Sequence, residues 1–239
     1  MKKAYQKPDF SIIVPTYNEE KYIFQCLEAI KNQNFTGSWE TIIIDSFSTD
    51  KTVAIAKQFN TKLFQAKREG PGLAKRTGCL KAQADLIALT DADICLPRNW
   101  LQKAYQNLQN PLVSATGGPY LYREMSKPLA FINKTIHLWL LKSFQALPGG
   151  SIAFRRQDYF NVGGIPTGVT FGEDVYISRK LSKIGKILVD PKLTVIESGR
   201  RIGISGLISG KYSYLIHAWK FLRTGDFEVL KKTRMKKID

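Results

Sequence analysis

Residues 85–100 read DLIALTDADICLPRNW. Leu86, Ile87, Ala88 and Leu89 make a short apolar run bounded by polar residues, the pattern of a strand buried on both faces. The run leads straight into Asp91 and Asp93, two carboxylates one residue apart. Like charges so placed repel, and they stay ionised together only if a cation or hydrogen-bond donors compensate. The chain as a whole has the opposite balance, 36 Lys and Arg against 20 Asp and Glu, a net charge of +16.

Working outward, the same unit recurs on the N-terminal side. FSIIVP (10–15) is an apolar strand, and Tyr22, Ile23, Cys26, Leu27 and Ile30 then fall on one helical face. ETIIID (40–45) is a second strand ending in an acid. Ser48, Thr49 and Asp50 are N-cap candidates for the helix after it. TKLFQA (61–66) is a third strand, followed by a helix in which Leu73, Leu80 and Ala84 are spaced for one face. Strand and helix alternating through short connections predict right-handed βαβ units and a mostly parallel sheet flanked by helices, an α/β fold of Rossmann-like type. In such sheets ligands bind beyond the carboxyl ends of the strands. Those ends are Pro15–Glu19, Asp45–Ser46 and Asp91–Asp93, so polar and acidic groups gather at one edge.

The second half is less regular. PLVSATGGPYL (111–121) reads as a strand with a glycine pair, and 128–147 as an unusually apolar helix. GGSIAFRRQDYFNVGG (149–164) reads as a short strand and helix, GEDVYISRKLSKIG (172–185) as a helix opening on Glu173 and Asp174, and 203–223 as an amphipathic C-terminal helix. With neither linker nor repeat, one domain is expected over 1–202, its halves near 10–95 and 96–202, followed by 203–239.

Two histidines and three dispersed cysteines (Cys26, Cys79, Cys95) do not predict a zinc site, and Cys26 and Cys79, on apolar helix faces, read as core thiols in a reducing compartment. The N-terminal apolar run is too short for a signal peptide, and no window approaches a spanning helix. A cytoplasmic chain is expected. The basic excess, with KKTRMKK at 231–237, suits nucleic acid, an anionic membrane face or a polyanionic substrate.

Each acid site has two readings from its residues alone. Asp91 and Asp93 could hold Mg²⁺ or Mn²⁺, which take one or two carboxylates alongside phosphates and water; alternatively Asp93 caps a helix beginning near Pro97. Glu173 and Asp174 could supply a general base, or answer the positive end of their helix.

Five segments in order resemble the signatures of the family-2 glycosyltransferases: SIIVPTYNEE, IIIDSFSTDKT, GPGLAKRTGCLKAQADLIALTDAD, PGGSIAFRRQDYFNVGG and FGEDVYISRKLSKIGKI, together covering about residues 10–201. The resemblance implies a GT-A fold and inverting transfer from a nucleotide-diphosphate sugar. It implies nucleotide contacts from Pro15, Tyr17, Glu19, Asp45, Arg76 and Asp91, and a divalent ion, Mg²⁺ or Mn²⁺, on Asp93 with Asp91. It also makes Asp174 the base and places Gly149, Gly150 and Glu173 on the acceptor side. Arg200 and Arg201 match a diphosphate-pairing SGRR segment. The family's acid and glycine after the second strand are here Ser46 and Phe47, its Asn after the arginine is Thr77, and its later histidine is absent from VIESGRRIG, where Glu197 or water could substitute as a ligand.

The aromatic stripes of 128–147 (Ile132, Ile136, Trp139, Leu140, Phe144) and 203–223 read either as core or as a surface for anionic headgroups. The second reading implies a glycan or lipid-linked acceptor, as in a polyprenyl-phosphate sugar synthase, and a peripheral position on the inner membrane face. A sugar nucleotidyltransferase would carry a glycine-rich loop where PTYNEE stands, and a basic module binding membrane or nucleic acid has no use for Asp91, Asp93 and Asp174 together. A nucleic-acid partner is therefore not expected.

Overall fold

The computed structural model describes residues 7–123 and 125–198, with Thr224. Arg200, Arg201, the helix expected at 203–223 and the basic tail lie outside the described residues.

The chain runs β1 (Phe10–Thr16), α1 (Ile23–Lys31), β2 (Trp39–Asp45), α2 (Thr52–Ala56), β3 (Thr61–Gln65), α3 (Pro71–Lys81), β4 (Leu86–Leu89), β5 (Ile94–Cys95), α4 (Trp100–Leu108), β6 (Val113–Gly117), β7 (Tyr120–Tyr122), α5 (Lys127–Phe144), β8 (Ile152–Arg155), α6 (Arg156–Asn161), α7 (Glu173–Leu181), β9 (Lys186–Val189) and β10 (Val195–Glu197). The main sheet has the order β3-β2-β1-β4-β8-β6-β9, and a smaller one the order β5-β10-β7. β1, β2, β3 and β4 pair in parallel, as do β6 and β9, whereas β8 is antiparallel to both its neighbours.

β1 shows why its middle, Ile12–Val14, is an unbroken apolar run. Ile12 and Val14 join a core with α1 and α4 on one face, and Ile13 joins a second core with Ile42, Ile44 and Ile87 on the other. Successive side chains point to opposite faces, so a strand covered on both sides has no polar position to spare.

Two expectations change, and an open one narrows. α3 does not pack through Leu73 and Leu80. Leu80 is exposed, and the buried face is Gly72, Ala74, Lys75, Gly78 and Cys79. A Cβ at Gly78 would lie 2.3 Å from Ile13 Cγ2, so close approach to β1 selected small residues over large ones. The glycine pair at 117–118 ends β6, and β7 leaves for the small sheet. In α5, Ile132, Ile136 and Trp139 are exposed and Leu141 is the buried residue, so that stripe is not core.

β8 positions the site. Its register sets Ile152 beside Leu89 of β4 and Gly117 of β6. Because β8 runs the other way, the loop entering it, Pro148–Ser151, arrives at the same edge where β4 ends in Asp91.

Candidate active site

The carboxyl ends of β1 and β2 are tied by a hydrogen-bonded clasp. Buried Asp45 accepts from Thr16 Oγ1 at 3.1 Å, Ser48 N at 2.9 Å and Ser48 Oγ at 2.5 Å. Asn18, held at φ 53°, accepts from Thr49 N at 2.9 Å, and its own N–H donates to Ser48 Oγ at 2.9 Å. Glu19 N donates to Thr52 Oγ1 at 2.7 Å, and Glu20 N to Asp50 Oδ2 at 3.1 Å. The expected N-cap residues thus mostly join two loops, although Asp50 Oδ1 also accepts from Thr52 N at 2.9 Å. The Arg68 guanidinium lies 3.6 Å from the centre of the Tyr17 ring. Phe47, where the resembling family has glycine, takes the left-handed conformation (φ 61°) with its ring exposed.

Beside this clasp lies a cluster of charge. Lys75, only 2% exposed, is 2.9 Å from Glu173 Oε1 and 3.1 Å from Asp91 Oδ1. Burial opposes its charge, but Asp91, then Glu173 and Asp174, outweigh it and hold the ammonium protonated far above the usual lysine range. Gly172, at φ 70°, caps α7, so Glu173 and Asp174 occupy its first turn. Asp174 Oδ1 accepts from Val175 N at 2.8 Å, and Oδ2 from Gly149 N at 3.1 Å. The acid thus answers its own helix end and also holds the loop before β8.

Gly149 and Gly150 are glycines because of what surrounds them. A Cβ at Gly149 would sit 2.6 Å from Lys75 Nζ; one at Gly150 would sit 2.2 Å from Ile94 Cδ1 and 2.8 Å from Asp91 Oδ2. Gly150 N donates to Tyr120 Oη at 2.7 Å. Burial pushes the Tyr120 phenol well above its ordinary pKa, with the charges of Asp91, Glu197 and Asp174 acting the same way. It stays protonated and keeps a donor for the cluster.

Asp91, Glu173, Asp174, Gly149 and Gly150 are thus brought together, with Pro15, Tyr17, Glu19 and Asp45 on the adjoining strand ends. Arg76 is not in the cluster: its Nη1 donates to the Ile165 carbonyl at 2.8 Å. Asp93 does not cap a helix, since α4 starts at Trp100 after Asn99. It is buried and accepts from Ser198 Oγ at 3.3 Å, while its carbonyl accepts from Ser198 N at 3.0 Å. β10 lies antiparallel to β5 and so sets Glu197 opposite Ile94. Lys75 and Tyr120 went unread in the sequence. Lys75 had a signal, being three residues from both Gly72 and Gly78 on the small-residue face of α3.

Among the described residues, no three His, Cys, Asp or Glu side chains converge as a metal cage. The donor chemistry of Asp91 and Asp93 nevertheless fits Mg²⁺ or Mn²⁺, which need only one or two protein carboxylates when a phosphate ligand supplies the others. A groove lined by Phe24, Leu27, Trp39 and Phe59 lies at the opposite end of the sheet, near the starts of β2 and β3.

Comparison with known proteins bears on this site. A family model described as "Glycosyl transferase family 2" matches residues 11–170, ending just before Glu173 and Asp174. The chain is 26% identical over 190 residues to glycosyltransferase AglE of Haloferax volcanii, covering 74% of this chain and 62% of that protein. It is 24% identical over 230 residues to a dolichol-phosphate mannosyltransferase of Pyrococcus furiosus, covering 89% and 63% respectively. The chain thus spans less than two thirds of these relatives. A solved mannosyltransferase from Pyrobaculum calidifontis, in complex with GDP-Man and Mn²⁺, superposes with a TM-score of 0.72 at 26% identity, covering 92% of this chain and 66% of that one. Staphylococcus aureus TarS in complex with UDP-GlcNAc has the same fold, with a TM-score of 0.65 at 20% identity over 87% of this chain and 64% of that one.

Proposed function

This chain belongs to glycosyl transferase family 2, and on that footing we propose that it moves a sugar from a nucleotide-diphosphate donor to a lipid-linked or envelope-glycan acceptor by a single inverting displacement. The observation that carries this reading is the meeting of Asp91, Lys75, Glu173 and Asp174 around Gly149–Gly150.

Donor contacts fall to the clasped strand ends: Pro15, Tyr17, Glu19 and Asp45 for the nucleoside, and Asp91 for the ribose. Asp93 with Asp91 would hold Mg²⁺ or Mn²⁺, which supplies charge neutralisation to the leaving diphosphate. Arg76, Arg200 and Arg201 remain candidates for diphosphate contact, the last two outside the described residues. Glycines 149 and 150 let the loop before β8 pass close against Lys75, Ile94 and Asp91, on the side assigned to the acceptor.

Asp174 is the base. Its carboxylate is oriented by two backbone N–H groups, and it takes the proton from the acceptor hydroxyl as that oxygen bonds to the anomeric carbon. The bond from that carbon to the diphosphate oxygen breaks, and its electron pair leaves with the nucleotide. Base and leaving group stand on opposite faces of the sugar, as inversion requires. Lys75 offsets the acids' mutual repulsion before any ligand arrives.

The acceptor reading is supported by the likeness to a dolichol-phosphate mannosyltransferase, by the basic charge, and by the exposed α5 stripe. Among the described residues, no helix is long and apolar enough to cross a membrane. A peripheral place on an anionic membrane face fits these features.

The test is a panel of nucleotide sugars read by thermal shift and by donor turnover, with Mn²⁺ and with chelator. Asp174→Asn should keep donor-induced stabilisation and lose transfer; Asp93→Ala should lose the Mn²⁺-dependent part of binding. Normal transfer by Asp174→Asn removes it from the base role, and a panel without any stabilising or consumed donor sinks the transferase reading.

A further inference from the structure

α5 presents an uncovered apolar face. Leu129, Phe131, Ile132, Ile136 and Trp139 are 51–73% exposed. At about 100° per residue, Leu129, Ile132, Ile136 and Trp139 fall within a sector of roughly 80°, and Phe131 lies about 80° outside it. Scattered exposed apolar residues need no explanation, but a stripe along one helix marks a contact surface. The opposite side of α5 packs on β7 and β9, so the stripe is not a packing face that failed to find its sheet.

The charge of the helix bears on its partner: exposed Lys142 stands about 60° from the edge of the stripe, exposed Lys127 opens the helix, and Lys134 is on the far side. Residues 127–144 contain Lys127, Lys134 and Lys142 and no Asp or Glu. An acid-free helix with an exposed tryptophan and an exposed lysine near each end, in a chain of charge +16, is complementary to anionic headgroups over an acyl boundary. At 18 residues and with lysines in its middle, α5 does not qualify as a span and would lie in the membrane plane.

The face is also wired to the acceptor side of the cluster. α5 ends at Phe144, five residues before Gly149. Within the helix, His137 Nδ1 accepts from Tyr120 N at 3.2 Å, and Tyr120 Oη accepts from Gly150 N at 2.7 Å. A surface that seats α5 therefore fixes the height of the glycine loop above it.

We propose that α5 is an in-plane membrane anchor that seats Leu129, Ile132, Ile136 and Trp139 in an anionic bilayer, with Lys142 beside the stripe at headgroup level. Through the Phe144–Gly149 connection it delivers a membrane-borne acceptor to Asp174. The delivery step rests on the transferase reading; the anchoring does not.

The experiment is vesicle flotation of the full chain with phosphatidylglycerol–phosphatidylcholine vesicles and with phosphatidylcholine alone, comparing wild type with Ile136→Asp/Trp139→Asp. Wild type should float with anionic vesicles, and the variant should bind roughly tenfold or more weakly. Its melting temperature and its donor hydrolysis in solution should be unchanged, while transfer to a vesicle-borne acceptor falls. Undiminished flotation of the variant overturns the proposal. So does a variant that melts well below wild type, because the stripe would then be packed under another part of the chain. A wild-type dimer that the variant dissolves assigns the face to a second copy and overturns it too. Anionic flotation without any donor turnover supports the anchor and counts against the transferase reading alone.

Discussion

Replacing Lys75 with methionine keeps most of the length of the side chain and removes its charge, leaving Glu173 buried without its counter-ion. At an effective dielectric of about 20, a unit pair at the observed 2.9 Å attracts by roughly 6 kcal/mol before desolvation is subtracted. The Asp91 side chain is 36% exposed, so solvent screens that second contact into the range of about 0–1 kcal/mol. Breaking a buried pair by deleting one partner costs about 3–5 kcal/mol, because the other charge is stranded. Lys75→Met should therefore lose about that much in urea unfolding at neutral pH, with an unchanged m-value. Lys75→Met/Glu173→Gln, which removes both charges, should recover about half of the loss. The pH dependence has a definite sign. The folded-state pKa of Lys75 is raised, so its contribution is complete below the unfolded value of about 10.4 and is lost only as pH rises beyond it. The gap between wild type and Lys75→Met should stay flat from about pH 6 to pH 9 and narrow above about 10.4. A loss within about 0.5 kcal/mol, as for ordinary surface changes, or strict additivity with Glu173→Gln, would refute the reasoning.

Two further outcomes rest on other parts of the molecule. Gly150→Ala places a methyl 2.2 Å from Ile94 Cδ1 and 2.9 Å from Tyr120 Oη; it should cost about 1–3 kcal/mol by overpacking and lower kcat more than it raises donor KM. For Glu40, burial alone raises the pKa, but Lys62 Nζ at 2.7 Å, Ser11 Oγ at 2.5 Å and Gln83 N at 2.8 Å together bring it below the ordinary glutamate value. Its contribution is present above the unfolded value of about 4.3 and fades as pH falls through the folded one. Glu40→Gln should then cost about 1–2 kcal/mol near pH 7, and the difference should close as unfolding is followed toward pH 3.

The strands of the first half were legible because burial on both faces leaves a continuous apolar signature, and FSIIVP, ETIIID and DLIALT all carry it. The face of α3 was not legible, because periodicity counts large apolar residues while the fold selected Gly72 and Gly78 for close approach to β1. Lys75 hid for the same reason: a lysine reads as solvent-exposed until the three acids around it are known. The reversal of β8 was equally invisible, since strand direction leaves no mark on a four-residue run. Asp91, Glu173 and Asp174 were picked out by motif, yet their meeting depends on that reversal.

The reversed strand also has a consequence for how the protein is made. β8 spans residues 152–155 and is the wedge between β4, at 86–89, and β6, at 113–117. A ribosome that has emitted only the first hundred residues has exposed a parallel four-stranded sheet whose β4 edge has no neighbour. Such an unpaired apolar edge is a template for pairing with another chain, and long-range pairing of this kind is slow to form. Nascent chains should thus be most prone to association after β4 emerges and before residue 155 does. Fragments ending in that interval should aggregate more readily than fragments that include β8.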